Sequence, residues 1–90
     1  MRMRPLVSWM TQSDPPILEL YEETTIAMPP AVVAYNIDGV SYPTVKRRIP
    51  ILAENGLLER VKDKQGYYQI TAHGQAYLAG ELEREDLENE

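Results

Sequence analysis

Apolar and polar positions alternate with a helical period in several stretches of this chain. Ile17, Leu18, Leu20 and Tyr21 fall on one face, with Glu19, Glu22 and Glu23 on the other. The string Ser13-Asp14-Pro15-Pro16 precedes them. Ser13 or Asp14 can cap a helix start, and proline is tolerated in the first turn because its missing N–H has no intrahelical partner there. These signals predict a first helix ending near Thr25. Pro30 then opens a short, largely apolar second helix through Ala31, Val32, Val33, Ala34, Tyr35 and Ile37. Asp38-Gly39-Val40 should stop it, with Val40 folding back onto Tyr35.

A third helix is predicted over about residues 42–55. Ser41 is its cap, Pro43 sits in its first turn, and Val45, Ile49 and Leu52 form its buried stripe. Pro50 removes one backbone hydrogen bond and is expected to bend the helix without ending it. Asn55-Gly56-Leu57 is the stop signal, with Leu57 returning to Leu52. The pattern then switches to strands. Residues 57–62 and 67–70 flank the turn Asp63-Lys64-Gln65-Gly66, which predicts a β-hairpin with Tyr68 and Ile70 on one face. Thr71 caps a last helix with Ala72, Ala76, Tyr77, Leu78 and Leu82 available for packing. Upstream, Leu6, Val7, Trp9 and Met10 are expected to cover one edge of the core, with room for a short strand.

The order is helix, helix, glycine turn, helix, hairpin, helix. This is an α+β, mainly helical arrangement, the winged helix-turn-helix: a three-helix core, a hairpin wing and a C-terminal helix. Its second helix-turn-helix element is the one that lies in a major groove, flanked by basic groups that hold phosphates. The candidate DNA-binding residues are Ser41, Tyr42, Thr44, Lys46, Arg47 and Arg48 on the third helix, and Lys62, Lys64 and Gln65 at the tip of a wing spanning about residues 58–70. Lys46 or Arg47 could read guanine through O6 and N7, and Tyr42 and Thr44 could meet a thymine methyl or a phosphate. Arg48 extends the positive edge. Arg2 and Arg4 could form a minor-groove arm, although a plain terminus explains them as well.

Charge refines this picture. A net charge of −5 taken as a whole disfavours nucleic acid, but residues 81–90 hold six carboxylates and only Arg84, and carry all of it. Residues 1–80 hold eight acids and eight bases, with the bases clustered at 46–48 and 60–64. The expected organisation is therefore a DNA-binding domain over residues 1–80 and an acidic tail over 81–90, frayed beyond about Asp86. Only three lysines stand against 14 Asp and Glu, which suggests a salt-adapted surface.

Other chemistries find little support. The chain has no cysteine and one histidine, His73, which gives no metal-ligand set. Glycines 39, 56, 66, 74 and 80 are scattered and form no phosphate-cradling loop. Ser8, Ser13 and Ser41 have lead-in or capping explanations, and Glu22 with Glu23 reads as a solvated face. No apolar run approaches the roughly 20 residues of a membrane span, and residues 1–6 lack the apolar core of a signal peptide. The chain is expected to be cytoplasmic, to be no enzyme and to need no cofactor.

In the order of its pieces the chain resembles the haloarchaeal winged-helix regulators related to the repressor of a halobacterial phage. The resemblance rests on Val7-Ser8-Trp9-Met10-Thr11, on Pro29-Pro30-Ala31-Val32-Val33-Ala34-Tyr35-Asn36, and on Val45-Lys46-Arg47-Arg48 with Leu52. It continues through Gly56-Leu57-Leu58-Glu59, Gly66-Tyr67-Tyr68-Gln69-Ile70-Thr71 and Gly74-Gln75-Ala76-Tyr77-Leu78. It implies a transcriptional repressor of an extreme halophile acting on double-stranded DNA. A homodimer reading two half-sites through Leu78 and Leu82 is compatible with it. The competing reading is a winged-helix adaptor whose third helix meets an acidic protein partner.

Overall fold

The computed structural model describes residues 7–87. Arg2, Arg4, Leu6 and residues 88–90, where fraying was expected, lie outside them. Helix α1 spans Asp14–Thr24, α2 Pro30–Asn36 and α3 Tyr42–Glu54. Strand β1 (Leu58–Arg60) pairs antiparallel with β2 (Tyr68–Ile70), and α4 (Ala72–Leu78) and α5 (Arg84–Leu87) follow.

The expected helices form for the expected reasons, with local differences. Ile17, Leu18 and Tyr21 of α1 are fully buried. Ser13 makes no side-chain cap; the Asp14 carboxylate instead accepts from the backbone N–H and the hydroxyl of Thr11. The lead-in residues 7–12 form turns rather than a strand, and Val7 and Met10 plug the core from there. Helix α2 starts at Pro30 as predicted but fully buries only Val33; Tyr35 stands 89% exposed, so Val40 does not cover it.

Helix α3 runs through Pro50, with Val45, Ile49 and Leu52 at zero exposure. Its N-terminus is capped by Ser41 Oγ, which accepts from the Thr44 N–H at 3.5 Å. Its C-terminus closes with two reversed bonds, Leu57 N–H to Leu52 C=O at 3.0 Å and Gly56 N–H to Ala53 C=O at 3.1 Å. That closure needs a left-handed residue, and Gly56 supplies φ 84°. It also aims the chain directly into β1, so the wing is anchored to the end of α3.

In the hairpin, Leu58 faces Ile70, Glu59 faces Gln69 and Arg60 faces Tyr68. A third edge escapes sequence reasoning: Met28 bridges Tyr68, its N–H donating to Tyr68 C=O at 2.8 Å and its C=O accepting at 3.1 Å. The phenol of Tyr21 donates to the same Met28 carbonyl at 2.7 Å. Burial, and secondarily the neighbouring Tyr68, push the Tyr21 phenol well above the ordinary tyrosine range.

The last helix is shorter than expected. Thr71 caps it through the Gly74 N–H at 3.0 Å, but it ends at Leu78, and Leu82 lies half-buried in the connector beyond. The predicted boundary at residue 80 does not detach the tail. Leu87 is 2% exposed, and its carbonyl accepts from the Trp9 indole N–H at 2.9 Å. Leu78 is likewise part of the chain's own core, whereas Leu82 is half-buried.

Candidate nucleic-acid interface

The buried stripe of α3 determines which side chains its outer face can show. With Val45, Ile49 and Leu52 inward, Tyr42, Lys46 and Arg47 are exposed and Thr44 is half-buried. Tyr42 and Lys46 are four residues apart and share a face. The Lys46 ammonium lies 5.9 Å from the centroid of the Tyr42 ring, so the two side chains form one amphipathic unit at the start of the helix. Ser41 and Thr44 are tied together, the Ser41 hydroxyl donating to Thr44 Oγ1 at 3.1 Å. Both hydroxyls keep remaining hydrogen-bonding capacity beside the exposed cations.

Arg48 is the main correction. It was expected to extend the positive edge, yet only 11% of its side chain is exposed. Its Nε donates to Asp14 Oδ1 at 3.0 Å and its Nη2 to Asp14 Oδ2 at 2.9 Å, a two-pronged pair with a carboxylate that has no exposure. The same Nη2 donates to the Trp9 carbonyl at 2.8 Å. The signal was present in the spacing, because Arg48 is three residues after Val45 and four before Leu52 and so belongs to the buried stripe. Arg48 is an internal strut that links α3 to the start of α1 and to the lead-in.

The hairpin supplies the second group. Lys62, Lys64 and Gln65 are exposed in its turn. The Lys64 ammonium sits 5.0 Å from the centroid of the Tyr67 ring, which holds the wing tip together without neutralising it. Sequence reasoning passed over Arg60, which is exposed and lies 5.5 Å from the centroid of the Tyr68 ring. Its alternation along β1, opposite Tyr68, was the available clue. Tyr35 was also missed: it stands fully out from α2 and, with Tyr42, Ala31 and Ala34, borders a shallow apolar recess.

Five cations are therefore described as exposed, Lys46, Arg47, Arg60, Lys62 and Lys64, and all lie on α3 or the hairpin. Glu59, on the same hairpin, accepts from the Gln69 amide at 2.7 Å. The turn between α2 and α3 covers residues 37–41, slightly longer than anticipated, and passes through Gly39. Among the described residues, no group of His, Asp or Glu is placed to hold a metal, and His73 stands half-buried on α4. None of the described helices is long and apolar enough to cross a membrane.

Comparison with known proteins agrees with this fold. The family model for the winged helix-turn-helix phage repressor matches residues 3–90. The chain is 36% identical over 89 residues to the repressor protein of Halobacterium phage phiH, covering 96% of this chain and 98% of that protein. It is similar in structure to the PhiH1 repressor-like protein from Haloarcula marismortui, whose crystal structure superposes with a TM-score of 0.74 at 36% identity over 89% of each chain. A helix-turn-helix with an attached hairpin, matched over nearly its whole length, places this chain in the winged helix-turn-helix phage repressor family.

Proposed function

We propose that this chain binds duplex DNA sequence-specifically and acts as a transcriptional repressor, with the start of α3 in the major groove and the hairpin on the adjacent backbone. The observation that carries this reading is the sorting of charge: the exposed cations described lie on α3 and the hairpin, while Arg48 is paired inside. Repressor function in the phage phiH relative supports it.

The roles follow from reach and chemistry. Arg47, or Lys46 beside it, donates to guanine O6 and N7. Ser41 and Thr44 hold a phosphate near the helix start. Lys62, Lys64, Gln65 and Arg60 grip the backbone from the wing, which orients the complex but reads no sequence. Two copies on two half-sites would add specificity. The reading also includes a cytoplasmic location.

Selection from a library of random duplexes tests the proposal. The wild-type chain should enrich a defined sequence, and a Lys46→Ala/Arg47→Ala variant that remains folded should not. Recovery of unenriched DNA by the wild-type chain would overturn it.

A further inference from the structure

The recess between α2 and α3 is lined by residues outside the fully buried core. Its walls are Ala31, Ala34, Tyr35 and Tyr42. Tyr35 is 89% exposed and Tyr42 45% exposed, an unusual cost for two large rings on a small domain unless something covers them. No charged side chain lines it. By itself it is no subunit seam, because its four lining residues fall far short of the roughly 20–30 per side that a stable interface uses.

Its position indicates the occupant. In a helix-turn-helix on duplex DNA, the start of the second helix meets base edges, and the first helix crosses the sugar–phosphate backbone. Tyr42 belongs to the former and Tyr35 to the latter, so a recess shared by both opens where the edge of a base meets the groove wall. Lys46, stacked at 5.9 Å on the outer ring, brings positive charge to its rim. The apolar group that a major groove presents at a base edge is the 5-methyl of thymine.

On the DNA-binding reading given above, we infer that this recess is a thymine-methyl site, and that Tyr35 is a specificity-determining residue working with Tyr42. Tyr35 contributes its ring rather than its hydroxyl. Because the contact is apolar, it releases no counterions and keeps its strength as salt rises, unlike the lysine–phosphate contacts around it.

The test uses the full chain and its selected duplex, with each thymine replaced in turn by deoxyuridine, which removes only the methyl. For the wild-type chain, one thymine should lose about fourfold in affinity on replacement, the worth of one buried methyl. Tyr35→Ala should weaken binding to the thymine duplex by at least that factor and show no further loss with deoxyuridine. Tyr35→Phe should behave as wild type. The slope of affinity against salt should be the same in all three.

The inference is overturned if every deoxyuridine is neutral, or if the penalty survives in Tyr35→Ala. A loss in Tyr35→Phe would overturn it in favour of a hydroxyl–phosphate bond. Unchanged DNA binding by Tyr35→Ala on every duplex would also overturn it and leave the recess to a protein surface. These outcomes leave the DNA-binding reading intact. If the wild-type chain selects no sequence, both fall together.

Discussion

Two adjacent arginines of α3 have opposite physical fates. Arg47 is solvated, so its loss should change folding stability by less than about 0.5 kcal/mol and, on the proposed reading, weaken DNA binding. Arg48 neutralises a carboxylate that is fully buried, and Arg48→Ala would strand Asp14 without its partner at a cost of about 3–5 kcal/mol. Urea unfolding of the two variants should separate them clearly, and equal stability would show that the Asp14–Arg48 pair is not the strut described. Tyr21 gives a second prediction at this scale. Its folded-state pKa is raised, so the neutral phenol is favoured in the native chain. That contribution is complete below about pH 10 and is lost as pH climbs above it, because the unfolded chain releases the proton more readily. The phenolate absorbance of Tyr21 should therefore appear with alkaline unfolding rather than before it. Tyr21→Phe should cost about 1 kcal/mol at neutral pH and flatten the alkaline decline; an equally steep decline in that variant would assign the effect elsewhere.

The elements meet at one unusually close point. Gly74, in the first turn of α4, is fully enclosed, and a Cβ there would overlap the Leu57 carbonyl and come within 2.8 Å of Ile70 Cγ1. That carbonyl already accepts from the Thr71 N–H and hydroxyl, so it cannot retreat without loosening the cap of α4. Gly74→Ala should destabilise the chain by about 1–3 kcal/mol in thermal or urea unfolding, although alanine is the better helix former. A gain in stability would show that the strand and helix are free to separate. This site also shows where the sequence was legible. Caps at Ser41 and Thr71, the stripe at Val45, Ile49 and Leu52, and the Gly56 stop are local signals, and all appear as predicted. The Met28–Tyr68 bridge was not legible, because a single paired residue has no period. The inward turn of Arg48 could be read from spacing but was masked by its basic neighbours. The docking of Leu87 beneath Trp9 depends on two ends of the chain meeting, which no local pattern records. Of the candidate site, the positions on α3 and the wing were foreseeable, whereas Tyr35 required knowing which side of a short, apolar α2 the core leaves uncovered.

For the molecule as a whole, charge is arranged rather than merely acidic. A chain of net charge −5 concentrates its described exposed cations on one helix and one hairpin, and carries six of its acids in residues 81–90. With five such cations, the logarithm of affinity should fall against the logarithm of salt with a slope no steeper than about −4.5 per bound chain. On the reading proposed above, the recess between Tyr35 of α2 and Tyr42 of α3 would supply affinity that this dependence does not touch. Such a division suits a family whose relatives occur in Halobacterium phage phiH and Haloarcula marismortui. Fluorescence anisotropy across a salt series checks it, and a markedly steeper slope would mean that phosphate contacts dominate through residues other than the five.

The central claim is that the outer face of α3 lies in a major groove. Methylation protection of guanine N7 on the selected duplex measures this most directly, since N7 is accessible only from that groove. The wild-type chain should shield at least one guanine, and Arg47→Ala or Lys46→Ala, bound at saturating concentration, should re-expose it. Bound DNA whose guanines stay reactive, or protection indifferent to both substitutions, would contradict the placement of α3.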